Sequence, residues 1–310
     1  MQTMISPQVI ADTQADVITE LYDGIFDPLA WDRVIETIAQ NIPELRPTLN
    51  IETWSPQRAQ IVRFANLDHD LVRQYMQTYS KMNAFRVATE SAKRHDVWLS
   101  TDFVPQDELV RTVFWNELLS KCDDIRATSN NFLARSRNHY AILAFHYAYR
   151  EQTTTIPSGM QLHRAIAPHA NRAFSLAIRG TALLNQQRID GAIMNLAVPA
   201  LVFDDAGRII RVNSAAEAFM ATNTTVRLGE GGTVTSPSHL NASAIDNAIR
   251  ATLSQRRAST LGLRGSDGMT VVAHFVPMQR REANNALVTE FIDVYEPAGV
   301  MYISAPSGNV

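Results

Sequence analysis

Ala200-Leu201-Val202-Phe203-Asp204-Asp205-Ala206-Gly207-Arg208-Ile209-Ile210-Arg211-Val212-Asn213 is the stretch whose reading decides the fold. Two apolar runs, Ala200–Asp204 and Arg208–Val212, flank Asp205-Ala206-Gly207, which sets a glycine where a hairpin turn needs a positive φ. A pair of antiparallel strands is therefore expected. Immediately afterwards Ser214-Ala215-Ala216-Glu217 has the spacing of a capping box, so a helix is expected to start there and carry Ala218 and Phe219 inward.

Working outward toward the C-terminus, Glu230-Gly231-Gly232 reads as a loop and Ala244–Leu253 as a helix. Ser259–Arg264, Thr270–Val276 and Gly299–Ser304 read as three further strands. Inward candidates are Val202, Phe203, Phe219, Ile249, Val272 and Phe275.

Toward the N-terminus, residues 14–40 have apolar residues at helical spacing, broken at Asp27-Pro28. Two β-like runs, Thr48–Trp54 and Gln60–Phe64, meet at Ser55-Pro56. A helix through Leu71–Tyr79 is followed by a poorly periodic stretch to Asp102, then a helix from Pro105 to about Leu119. Residues 127–135 and 139–149 form the longest strand pair. Met160 to about Leu196 is one long helical stretch, with Leu162, Ile166, His169, Ala173, Leu176, Gly180 and Leu183 alternating in steps of four and three. That seam fits either a surface helix packed on its own domain or a dimer-forming connector; the connector reading is carried forward. The fold class expected is α/β of the α+β type: an α/β sandwich over 1–157, a connector and dimerisation helix over 158–192, and an antiparallel-sheet domain over 193–310.

At 310 residues and 45% apolar composition, the chain can bury two ordinary cores. A net charge of −3 with no run of five or more like charges gives no footprint for a phosphate backbone. One cysteine, Cys122, excludes an intramolecular disulfide and a cysteine-based zinc site, which fits a reducing cytoplasm. The N-terminus lacks a signal-peptide pattern and no span of about 18 apolar residues occurs, so no membrane partner is expected.

Catalytic and cofactor signatures are missing in the same reading. Asp123-Asp124 beside Cys122 raise a thiol pKa rather than lower it. His139 and His146, seven apart in a strand, face opposite ways, and His163 and His169 sit about 240° apart round a helix. The glycines at 229, 231 and 232 lack the Lys-Ser/Thr of a phosphate loop. His239 and His274 are lone histidines without a haem pattern. No enzyme activity and no cofactor are expected.

The segment from Tyr75 to Trp115 is the richest in aromatics, and aromatic walls with few polar groups suit a small-molecule pocket as well as an ordinary core. Tyr75, Tyr79, Asn83, Phe85, Trp98, Phe114 and Trp115 are the ligand-binding candidates, for a small apolar or aromatic effector.

Leu21-Tyr22-Asp23, Asp27-Pro28 with Trp31, Arg111 followed by Phe114-Trp115-Asn116-Glu117, Pro168-His169 with Arg172-Ala173, and the stretch from Val202 through Asn213 to Ala215-Ala216 occur in an order of their own. Together they resemble the LuxR-type helix-turn-helix transcription regulators that carry an N-terminal GAF-like region and a PAS domain, over about residues 15–306. The resemblance implies a bacterial sensory region, a GAF-like sandwich followed by a PAS domain, homodimeric, reaching DNA only through a helix-turn-helix that would follow Gly299–Ser304. The expectation is a chain cut before that output domain; the other reading is an interaction scaffold with no ligand. Tyr75, Asn83 and Trp98 are also spaced like the tyrosine, aspartate and tryptophan that hold acyl-homoserine lactones in LuxR quorum sensors. Asn83 stands where that pattern has a carboxylate and Ala84 where it has proline, so a different ligand is implied.

Overall fold

The computed structural model describes residues 5–55, 57–92, 97–193, 196–222, 225–266, 268–278, 286–289, 291–292 and 298–304. The architecture is α+β, in two compact units: Met1–Thr181 with Asn284–Ile292, and Ala182–Ala283 with Asp293–Val310.

The first unit opens with α1 (Pro7–Asp23) and α2 (Ala30–Asn41). Ser6 caps α1 by accepting from the Val9 amide at 3.2 Å, and Pro7 takes the first helical position, where its missing N–H costs nothing. The helix thus begins seven residues before the expected start, because the cap rather than the apolar pattern sets it. There follow β1 (Arg46–Trp54), β2 (Gln57–Phe64), α3 (His69–Gln77), α4 (Arg86–Ser91), β3 (Trp98–Leu99), α5 (Gln106–Leu109), α6 (Val113–Glu117), β4 (Ile125–Arg135), β5 (His139–Ala148) and α7 (Gln152–Ile193). The single helix expected over 105–119 is two short ones, since Thr112 turns extended and caps α6 through its hydroxyl, which accepts from the Trp115 amide at 3.1 Å.

The sheet order is β2-β1-β5-β4-β3, antiparallel throughout. Strand period two gives this sheet two different faces. Leu49, Ile51, Leu143 and Phe145 pack into one core with Trp31, Ile35, Leu162, Ile166 and Phe174 of α2 and α7. Thr48, Asn50 and Glu52 of β1 lie on the other face, opposite Ala144, Ile142 and Tyr140 of β5. The first half of the seam on α7 is spent inside this unit: Leu162, Ile166 and Ala173 are fully buried, whereas Leu176 and Leu183 are exposed. Leu287, Val288 and Phe291, in and just after the short helix Ala286–Thr289, complete the same core, with Phe291 edge-on to Phe174 at 5.7 Å.

The second unit contains β6 (Ala200–Phe203), β7 (Ile209–Val212), α8 (Ser214–Thr222), β8 (Arg227–Leu228), β9 (Val234–Thr235), α9 (His239–Gln255), β10 (Ser259–Arg264), β11 (Thr270–Pro277) and β12 (Gly299–Ser304). Its main sheet is β10-β11-β12-β6-β7. With strands numbered within the sheet alone, each five-stranded sheet reads 2-1-5-4-3. The turn after β6 forms as expected: Gly207 has φ +77, and the Asp204 carboxylate accepts from the amides of Ala206 and Arg208 at 2.9 and 2.8 Å. α8 is held at its start by Asn213, whose side-chain oxygen accepts from the Ala216 amide at 2.9 Å, so the cap lies one residue before the expected Ser214. Of the inward candidates, Phe203, Ile249 and Phe275 are core and Phe219 packs against them. Val202 belongs to the opposite face with Ile193 and Val300, and Val272 is only half-buried. Parity explains both: Val202 neighbours Phe203 and Val272 lies three from Phe275, so neither pair can share a strand face.

Candidate functional site

A cavity lies on the second face of the first unit's sheet. It offers about 100 Å³ to the centre of a water-sized sphere within roughly 790 Å³ of atom-free space. Its floor is Thr48, Asn50 and Glu52 of β1, Ile142, Ala144 and His146 of β5, and Thr128 and Asn130 of β4. Its roof comes from the long crossover between β2 and β4: Leu71 and Tyr75 of α3, then Asn83 and Phe85, then Phe114 and Leu118. The crossover roofs the sheet because β3 pairs at its far edge, so the chain must cross the whole face to reach it.

Of the residues singled out in the sequence, Tyr75, Asn83, Phe85 and Phe114 line this cavity. Phe85 meets Phe114 edge-on at 6.1 Å, and Tyr75 lies 6.2 Å from Phe114. Trp98 is buried outside the lining, 4.9 Å from Phe132 in a cluster with Ala88 and Ala92 that also holds Tyr140, Ile142 and Ala144 of the cavity. Tyr79 points its hydroxyl out to Glu117 at 2.7 Å, and Trp115 lies under the Arg126 guanidinium at 5.2 Å.

The polar chemistry centres on Glu52, which the sequence reading missed. Its carboxylate is 3% exposed and accepts from the hydroxyls of Tyr75 and Tyr140, each at 2.6 Å, and from the Gln57 amide at 3.3 Å. Asn83 donates to the Tyr75 hydroxyl at 3.0 Å and accepts from the Phe85 amide at 2.9 Å. Burial and the neighbouring Glu52 hold both phenols well above the usual tyrosine range, so they stay protonated donors. Farther along the floor, Thr48 Oγ1 bonds His146 Nε2 at 3.1 Å, and burial, with Arg46 adding to it, pushes His146 down to about 4. His146 Nδ1 and Asn50 Oδ1 are buried without a hydrogen-bond partner. The signal that could have found this floor was Thr48-Leu49-Asn50-Ile51-Glu52 itself. Such alternation usually marks a solvated face, but β1 is an inner strand, and its polar side is covered as well.

Cys122 also borders the cavity, with its thiol pushed up to about 11 by burial and by Asp123 and Asp68, far from a thiolate at neutral pH. Among the described residues no group of three or more His, Cys, Asp or Glu could hold a metal ion, and no helix is long and apolar enough to cross a membrane. What the cavity can do is enclose an apolar body and meet it with a few fixed hydrogen-bonding groups.

Behind the floor, a buried polar chain ties β4 and β5 to α7. The Ser129 hydroxyl bonds the Tyr147 hydroxyl and His163 Nδ1, each at 2.8 Å; His163 Nε2 bonds Asn131 Oδ1 at 2.8 Å; Asn131 donates to Asn171 at 2.8 Å. Burial alone pushes His163 down to about 3. Thr128 and Asn130 thus face the cavity while Ser129 and Asn131 hold the helix.

Neither protein-family models nor curated proteins match the sequence. Among solved structures, the VqsR ligand-binding domain from Pseudomonas aeruginosa is similar over 53% of this chain and 96% of its own, at 14% identity and a TM-score of 0.42. CepR2 from Burkholderia cenocepacia, an N-acylhomoserine lactone dependent LuxR family transcription factor, is similar over 53% of this chain and 99% of its own, at 13% identity and a TM-score of 0.33. The E. coli DhaR(N)–DhaL complex contains a chain similar over 98% of this one and 92% of its own, at 11% identity and a TM-score of 0.30.

Proposed function

We propose that the chain is the sensory region of a bacterial transcription regulator of the LuxR type, and that its first unit binds a small, largely apolar or aromatic effector in the cavity on the sheet. The observation that carries the reading is a roofed cavity whose walls are apolar and whose floor holds two unpartnered polar atoms, Asn50 Oδ1 and His146 Nδ1. An unpaired buried polar atom costs about 1–3 kcal/mol, which a ligand group bonded to it would recover. In this reading residues 1–157 sense, 158–192 connect and dimerise, and 193–310 form a PAS-type relay, with DNA reached through a domain outside these residues, in the cytoplasm. Alternation along β4 supports the relay, since one strand touches both the cavity and α7. The effector must favour one arrangement of that strand over another to shift anything.

The test is a thermal-shift screen of the whole chain, joined to native mass spectrometry for co-purifying molecules. A bound effector at a hundredfold its Kd raises stability by about 2.7 kcal/mol. Ala144→Leu, which extends a floor residue into the cavity, is expected to remove that response while the chain remains folded. A response that survives Ala144→Leu places the binding site elsewhere. A chain with no binder by either method is an interaction scaffold instead.

A further inference from the structure

We infer that the effector is an amine, its ammonium seated between Glu52 and Asn50 on the cavity floor; the inference rests on the sensing role proposed above. Glu52 is buried, yet its partners are two phenols and an amide, all neutral. Buried carboxylates are ordinarily matched by a cation. Among the described residues no Lys or Arg lines the cavity, and Arg86, whose charge reaches toward Tyr140, is engaged by Glu90 at 2.6 Å on the surface.

The remaining acceptor capacity lies where an ammonium would need it. A carboxylate has about four acceptor positions, and the three hydrogen bonds made to Glu52 leave one, on Oε1, which takes only the Tyr75 hydroxyl. Asn50 Oδ1 takes none. The two residues are i and i+2 on β1, hence on the same face of the strand, and both line the cavity. Tyr75, Tyr140, Phe85 and Phe114 supply ring surface around the cavity, which favours a cation with an aromatic or aliphatic tail. The same carboxylate repels acids, so the floor discriminates by charge sign.

Calorimetric titration of the whole chain with 2-phenylethylamine, 2-phenylethanol and 3-phenylpropanoate tests this. The amine is expected to bind at least tenfold more tightly than the alcohol, and the carboxylate not at all. Glu52→Gln, which keeps the shape and one acceptor, is expected to abolish the amine's advantage and leave alcohol binding within twofold. Asn50→Ala, which leaves the Glu52 cluster intact, is expected to weaken the amine severalfold and the alcohol less, so the inference does not depend on the folding of one variant. Equal binding of amine and alcohol to the unmodified chain, or an amine preference that survives Glu52→Gln, overturns the inference while the sensing role stands. Failure of all three compounds to bind also overturns it; if the thermal-shift screen yields no binder either, the sensing role falls with it.

Discussion

Asn83 and Trp98 were paired in the sequence as two members of one ligand triad, and their surroundings separate them. Asn83 touches the cavity and bonds Tyr75 and the Phe85 amide, whereas Trp98 does not line it and packs in a cluster with Phe132, Ala88 and Ala92 that also holds the lining residues Tyr140, Ile142 and Ala144. Asn83→Ala is therefore expected to cost about 1–2 kcal/mol of stability and to weaken ligand-induced stabilisation directly, while Trp98→Ala costs about 3–5 kcal/mol even without ligand and touches the response only through the lining residues it packs against; melting curves with and without ligand distinguish the two. His163 yields a pH prediction. Its folded pKa of about 3 lies below the ordinary 6.5, so under pH 6.5 the unfolded chain binds the proton that the folded chain refuses, and stability falls with pH. Between pH 6.5 and 5 the loss from this one group is about 2 kcal/mol, and it runs on until pH about 3. His146, held down to about 4, adds a similar loss over the same range, so His163→Gln is expected to reduce the fall in melting temperature between pH 7 and 5 by roughly half; an unchanged slope assigns the acid sensitivity to His146 or another group. At this scale the aromatic half of the site was legible, because Tyr75, Phe85 and Phe114 announce themselves by type. Glu52 was not, because a carboxylate in an alternating strand looks like surface until the strand's place in the sheet is known.

The strands were the easiest elements to read and the short helices the hardest. β10 and β12 have the expected bounds, since turn residues and β-branched runs delimit them locally. α4, α5 and α6, of six, four and five residues, were invisible or merged, because a single turn carries no period; only their caps and contacts to the sheet define them. α7 presents a case in which intrinsic propensity misleads. Gly159 is helical, where Gly→Ala normally gains about 1 kcal/mol, but a Cβ there would stand 2.6 Å from the Tyr147 hydroxyl and 3.1 Å from Leu45. Helix and sheet approach each other at that glycine, and Gly159→Ala is expected to destabilise the chain by about 1–3 kcal/mol in chemical denaturation. A gain in stability would show that Tyr147 swings aside without loss of its bond to Ser129.

For the molecule as a whole, the dimer proposed through α7 must use what its own core leaves free. Leu176, Leu183 and Leu184 are exposed, while Leu162, Ile166 and Ala173 are spent on the sheet. Leu183→Glu is expected to turn a dimer into a monomer in sedimentation velocity without lowering the melting temperature of the monomer, since 56% of that residue already faces solvent. Dimers that sediment unchanged locate the interface on another surface. Two separate sets of strands were legible in the sequence, but the contribution of Leu287, Val288 and Phe291 to the first core was not, because those residues sit between two strands of the second unit's sheet. The chain therefore leaves one sheet, donates a plug to the other core, and goes home. Inheritance is constrained by that itinerary. A recombination event that moved residues 1–181 alone into another gene would deliver a first unit with an open seam at Phe174, and one that replaced the second unit would have to bring a matching plug, so the two halves are expected to travel through evolution as one cassette.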